Sequence, residues 1–159
     1  MVARVDKMSS KNQKERPRIR AATPEDAAPL SKMNQLFNHL SIGLRDIQKK
    51  LRDGDEIVLV AQSGEGLCGF ACAQVMDSFC YKKPYAELTE LYVGSAYRRN
   101  GIATMLVRSM EKELSKRGVV HIHILTGVAN RPARALYEQL RYSCTRKRPE
   151  ILYDKNMKR

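Results

Sequence analysis

Residues 85–118, "YAELTELYVGSAYRRNGIATMLVRSMEKELSKRG", pass from a strand pattern through a glycine-bearing turn directly into a long amphipathic run. Ile102, Leu106, Met110 and Leu114 recur four residues apart, the spacing of one helix face, and Gly118 stops the run just after Lys116 and Arg117. "VVHIHIL", residues 119–125, then returns to strand chemistry. Strand, helix and strand in immediate succession restrict the chain to a layered fold in which helices cover a sheet.

The flanking sequence extends this pattern. "PRIRAA" is a short strand, after which Thr23 is placed to cap a helix with Pro24 at its first position and Asp26 three residues beyond the cap. That helix carries Ala27, Leu30, Met33, Leu36 and Phe37 on one side. A second helix runs from Ser41 to about Arg52 and ends at "DGDE", where Gly54 supplies a turn. "EIVLVAQ" and "LCGFACAQVM" are apolar strands joined by "SGEG", the signature of an antiparallel hairpin. "NRPARALYEQL" is a last helix and "EILYDKN" a closing strand. The sum is an α+β (or α/β) sandwich with a mixed sheet.

Length assigns residues 17–159 to a single domain, while residues 1–16 are polar and patternless and read as a flexible basic arm. The net charge of +12 suggests a nucleic-acid-binding module until it is mapped. Residues 1–20 hold seven Lys/Arg against two acids, and residues 141–159 hold seven more against two, so most of the excess lies at the ends. A basic module without catalysis is therefore an alternative reading, and nucleic acid is not the expected partner. No apolar run approaches the roughly 18 residues of a membrane span, and the N-terminus lacks a signal peptide's apolar core, so the expected location is the cytoplasm, away from membranes.

Cys68, Cys72, Cys80 and Cys144 form no C-x-x-C pair and have no histidine at ligand spacing, so buried or half-buried free thiols are expected. His121 and His123 share one strand face, and without a third ligand they are read as structural. No metal is expected.

The turn "RRNGIA" carries the functional signal. A helix N-terminus offers unpaired backbone N–H groups and the positive end of a dipole, which attract phosphate. Gly101 allows close approach of an anion, Ala103 keeps the first turn narrow, and Arg98 and Arg99 add forked, permanently charged donors. A pyrophosphate cradle and a plain strand-to-helix turn with solvated arginines both fit this stretch alone. Neither the P-loop pattern nor the dinucleotide fingerprint is present.

With its flanks, the chain resembles the GNAT superfamily of acetyl-CoA-dependent N-acetyltransferases. The family pattern [RQ]-x-x-G-x-[GA] after a strand is matched by Arg98, Gly101 and Ala103, and its next motif, Asn at a helix start with Tyr inside, by Asn130 and Tyr137. The resemblance spans about residues 18–156. It implies a mostly antiparallel central sheet with a splayed middle strand, flanked by about four helices, and acetyl-CoA as cosubstrate. The backbone of Leu91, Tyr92 and Val93 would pair with the pantetheine arm, Asn130 would reach the same arm, and the amides of Arg99, Asn100, Gly101, Ile102, Ala103 and Thr104 would hold the pyrophosphate. Tyr137 would contact the cofactor and protonate the departing thiolate.

An ammonium must lose a proton before it attacks a thioester, so a base is useful. Glu90 and Glu87 are the candidates, and strict alternation sends them to opposite faces, with Glu90 favoured unless a bulge inverts the order. Where related helices end in glycine, Arg141 stands before Tyr142, at a cost of about 1 kcal/mol if it must be left-handed. "AELTELYV" followed by "YRRNGIAT" looks like the corresponding part of aminoglycoside 3-N-acetyltransferases, so the acceptor is expected to be a small-molecule primary amine; a protein or peptide amine is the alternative. Residues 24–56, with Asp46, Asp53, Asp55 and Glu56, would wall the acceptor site. A homodimer is expected, since similar enzymes often cover strand edges by pairing subunits.

Overall fold

The computed structural model describes residues 16–64 and 66–144. Compact packing divides the chain at residue 125 into two units. The first contains strands β1 (Arg18–Ala21), β2 (Ile57–Ser63), β3 (Gly66–Met76), β4 (Tyr85–Val93) and β5 (His121–Ile124), and helices α1 (Ala27–Asn38), α2 (Leu44–Asp53) and α3 (Ile102–Lys116). The second contains α4 (Arg131–Gln139).

The five strands form one sheet in sequence order, antiparallel throughout except for the parallel pair β4–β5. This is the mixed sheet that the sequence pattern requires, and with four helices it is the expected α+β fold. The bounds of β4 coincide with "YAELTELYV", because Pro84 and Gly94 punctuate that run at both ends. α3 packs on the sheet through Ile102, Leu106, Val107, Met110 and Leu114, all buried. α1 packs through Leu30 and Met33 with Val60, Phe70, Cys72 and Tyr92. Burying side chains of this size stabilises the fold by about 1.5–3 kcal/mol each.

Two helix starts differ from the sequence expectation. Thr23 does begin a capping box, but the first turn it opens, Pro24–Asp26, is a 3-10 turn, and α1 proper starts at Ala27. The cause is Asp26, the buried acid of the first unit. Its carboxylate accepts two hydrogen bonds from the Arg20 guanidinium, at 2.7 and 2.8 Å, and one from the Thr23 amide at 2.8 Å. α2 begins at Leu44, not Ser41, because Gly43 caps it with its carbonyl, accepting from the amides of Asp46 and Ile47. The apolar stripe of α1 also ends early: Leu36 is exposed, while Phe37 reaches the rings of Phe70 and Tyr92.

β3 and β4 approach closely at Gly69, where a Cβ would lie 2.6 Å from the Tyr92 carbonyl oxygen. Only glycine allows that pairing. Of the cysteines, Cys68 and Cys72 are buried, whereas Cys80, in the turn after β3, and Cys144, beyond α4, are exposed, contrary to expectation. All four are free thiols. The closing strand "EILYDKN" and the arm, apart from Arg16, lie outside the described residues.

Candidate active site

β4 pairs with β5 over four steps, from Tyr85↔His121 to Leu88↔Ile124. There β5 ends, and β4 continues to Val93 with β3 alone beside it among the described strands. The backbone of Thr89–Val93 therefore has no strand on its β5 side among the described residues. Leu91, Tyr92 and Val93 all lie on this stretch. Tyr92 turns its ring into the core against Phe37 and Phe70, which leaves its backbone as the available part.

β4 leads into the turn that precedes α3. After a 3-10 turn, Ser95–Tyr97, the chain adopts left-handed conformations at Arg99 (φ 64°) and Gly101 (φ 74°) before α3 begins. No side chain caps α3, and its first internal hydrogen bond runs from the Met105 amide to the Gly101 carbonyl. The amides of Ile102, Ala103 and Thr104 precede that bond and have no acceptor within the helix. The space beside Gly101 is open, so glycine is required there by its positive φ and not by crowding. Arg98 also holds the turn in place, since its Nε donates to the Val93 carbonyl at 3.0 Å and ties the turn to the end of β4. Asn100 braces the same turn, donating from Nδ2 to the carbonyls of Tyr97 and Arg98. An uncapped helix start behind exposed Arg98 and Arg99 fits a pyrophosphate.

The carboxylates are placed differently from simple alternation. In the β3–β4 register, Cys72 faces Glu90 while the next residue, Ala73, faces Leu88, so Thr89 is an extra, bulged residue. Glu87, opposite Gln74, and Glu90, opposite Cys72, consequently share the sheet face on which α1 packs. Glu56 joins them: its Oε1 accepts from the Thr89 hydroxyl at 3.4 Å. Crowding by neighbouring atoms, with Glu90 nearby, pushes the Glu56 carboxyl above the usual carboxylate range, although Thr89 and Lys50 oppose the shift. Burial pushes the Cys72 thiol far up, leaving it a neutral neighbour of this group. The sequence offers Glu56 as one of four acids of the acceptor wall; its hydrogen bond to Thr89 is a tertiary contact that the sequence does not display.

His121 and His123 share this face, as alternation predicts, and both are exposed. Their rings lie edge-to-face at 5.1 Å, and His123 also meets Tyr85 at 5.3 Å. No group of three metal-ligating side chains occurs among the described residues.

On the same side as α1, a cavity of about 220 Å³ is lined by Met33, Leu36, Cys68, Tyr92, Gly94 and Tyr97. A larger one, about 440 Å³, lies at the β1–β2 margin, two strands away from the fork, among the ion-paired Arg20, Glu113, Lys116 and Arg117.

In the second unit, Asn130 caps α4, its Oδ1 accepting from the Ala133 amide at 3.3 Å. One lone pair of that oxygen serves the helix, and its second lone pair and the Nδ2 donors can meet a ligand. Tyr137 is half-buried on α4, its ring edge-to-face with Tyr142 at 6.0 Å, and burial raises its hydroxyl pKa. Arg141 does take the left-handed conformation (φ 69°) that glycine normally supplies. The Tyr142 amide donates to the Tyr137 carbonyl and the Arg141 amide to that of Glu138, the two bonds of a Schellman cap.

A splayed strand running into a glycine-gated, uncapped helix start defines the acetyltransferase class of coenzyme A-binding folds. The chain belongs to the acetyltransferase (GNAT) family, whose model matches residues 23–142. It is 30% identical over 107 residues to human N-acetyltransferase 8, covering 67% of this chain and 47% of that protein, so it spans about half the length of this relative. Its fold is similar to that of an aminoglycoside acetyltransferase from an uncultured soil metagenomic sample in complex with sisomicin, with a TM-score of 0.76 and 17% identity over 89% of this chain and 97% of that one. It is also similar to a ribosomal-protein-alanine N-acetyltransferase from Brucella melitensis biovar Abortus 2308, with a TM-score of 0.71 and 18% identity over 86% and 99% of the two chains. Among the described residues, no helix is long and apolar enough to cross a membrane.

Proposed function

We propose that this protein transfers an acetyl group from acetyl-CoA to a primary amine of a small molecule. The observation that carries the reading is the continuity of the open β4 edge, Thr89–Val93, with the uncapped start of α3. An extended amide-bearing arm would add to that edge as a strand does, and the diphosphate joined to it would meet the helix amides. Acetyl-CoA supplies the thioester. Arg99, Asn100 and Gly101 to Thr104 would hold its phosphates, and Asn130 its pantetheine arm through Nδ2.

The rest of the chemistry falls to the protein. Glu90 is the favoured carboxylate for drawing the proton off the amine, directly or through a neighbouring group or water, and Glu87 the alternative; from one face, both can attract an ammonium group. As the C–N bond forms and the C–S bond breaks, Tyr137 gives its proton to the thiolate and is reprotonated from the amine nitrogen or water. The net reaction releases one proton per amide formed.

A polycation of the aminoglycoside kind is the acceptor class we favour. The solved relative that holds sisomicin supports it, and Glu56, Glu87 and Glu90 give the acceptor face an acidic patch on an otherwise basic chain. The test is a panel of aminoglycosides, simple alkylamines and peptides, followed by release of free coenzyme A thiol. Thiol release with aminoglycosides or alkylamines supports the reading, release with peptides alone moves the acceptor to proteins, and no release with any member removes the proposed activity.

A further inference from the structure

We infer that His123 takes up a proton from the acceptor amine at the closed end of the β4–β5 fork, with Glu87 as its partner; the inference rests on the acetyl-transfer reading. His123 faces Glu87 in the parallel register, one step before Leu88↔Ile124, the last pair before the strands part. A thioester at the end of an arm lying along Thr89–Val93 would stop at that closed end. The imidazole is exposed, so an amine can reach it. Its ring is also held in place, between Tyr85 at 5.3 Å and His121 at 5.1 Å, with Tyr85 braced in turn by Tyr81 at 5.7 Å. The imidazole is thus exposed and flanked by two rings, with a third behind Tyr85.

The chemistry favours imidazole over carboxylate for this step. An alkylammonium ion has a pKa of about 10.4, a carboxylic acid one of about 4.3, and imidazole one of about 6.5, so proton transfer to imidazole is less uphill by roughly two units. The titratable groups that face His123 are Glu87 and Tyr85 across the pair and His121 on its own strand, with Tyr81 beyond Tyr85. One N–H bond of the ammonium breaks, the proton passes to a ring nitrogen of His123 and on to water, and the freed lone pair attacks the thioester carbonyl carbon. Glu90, one residue past the bulge, would then hold the incoming ammonium.

Two measurements test this. The first is carbethoxylation of histidines by diethyl pyrocarbonate, read residue by residue by mass spectrometry, with and without saturating acetyl-CoA. Modification of His123 should slow when acetyl-CoA binds, while exposed His39, at the end of α1, serves as the internal reference. The second is the pH–rate profile of His123→Gln and His123→Phe with whichever amine the wild type acetylates. Turnover should fall by roughly 10²-fold near neutral pH and recover towards the wild-type rate as pH approaches the amine's own pKa, with acetyl-CoA affinity unchanged. Unprotected His123 under bound acetyl-CoA overturns the inference while leaving acetyl transfer in place, as does a wild-type rate and profile in both variants. A wild-type protein that binds no acetyl-CoA in calorimetry overturns the acetyl-transfer reading, and this inference with it.

Discussion

Glu87 and Glu90 project from the same face of β4, because Thr89 occupies a bulge between them. Two carboxylates in that arrangement can share one cationic ligand. Glu90→Gln should lower turnover most at low pH, where the amine is most protonated, and Glu87→Gln should lower it less. pH–rate profiles of both variants check the ranking; a larger loss for Glu87→Gln would move the main role there, and wild-type rates in both would leave removal of the proton to another group or to solvent.

Gly101→Asp should abolish acetyl-CoA binding, since it sets a negative charge on the amides of the first turn of α3. Gly101→Ala meets no protein atom and should cost only about 1 kcal/mol for the positive φ. Isothermal calorimetry and the acetyl-CoA-dependent rise in melting temperature read both effects. Unchanged affinity in Gly101→Asp would place the phosphates elsewhere.

Tyr137→Phe keeps the ring and its contact with Tyr142 and removes only the hydroxyl. Acetyl-CoA affinity should change little, while turnover falls by roughly 10²- to 10⁴-fold. Because burial raises the Tyr137 pKa, its hydroxyl keeps its proton through neutral and mildly alkaline pH, and any alkaline loss of activity from its ionisation comes above the ordinary tyrosine value of about 10. An alkaline limb that is the same in wild type and Tyr137→Phe would exclude Tyr137 as its source.

Asp26 should govern acid stability. The Arg20 guanidinium holds its carboxyl below the ordinary aspartate value, with the Thr23 amide adding to the effect against the opposing push of burial. A depressed native pKa gives stability that is complete above the unfolded value of about 3.9 and is lost as pH falls through the native one. Asp26→Ala removes the charge-assisted bonds to Arg20, which keeps Gln62 and the Ala21 carbonyl as acceptors, and should cost about 1.5–3 kcal/mol, or melting some 3–12 °C lower. Circular dichroism melts at pH 7 and pH 3 measure it, and the gap between wild type and variant should narrow at the lower pH.

Gly69→Ala should loosen the end of β4. Its Cβ would press on the Tyr92 carbonyl and lie 3.3 Å from Val93 Cγ2, so β3 and β4 must separate where β4 meets the phosphate turn. Stability should fall by about 1–3 kcal/mol, and acetyl-CoA affinity with it. Wild-type affinity in a destabilised variant would uncouple the open edge from this contact.

Much of this architecture is local, and local chemistry is what a sequence displays. Pro84 and Gly94 bound β4, the four-residue repeat from Ile102 to Leu114 defines the buried face of α3, and Gly101 marks one of the two positive φ angles in the turn before α3. Each follows from backbone sterics or periodicity within a few residues. The placement of the acidic face does not. Alternation along "ELTE" puts Glu87 and Glu90 on opposite sides, and the bulge that unites them exists only because β3 pairs in two registers, before and after Thr89. Glu56 meets Thr89 across 33 residues of chain, and His123 comes to face Glu87 only when β5 docks parallel to β4. Arg141 accepts a strained φ that its own side chain disfavours, because the Schellman hydrogen bonds of Tyr142 and Arg141 close α4 around it. Periodicity and local φ account for the elements and for the turn at Gly101; which carboxylates and imidazoles share a face is settled by strand register, which pairing between distant segments sets.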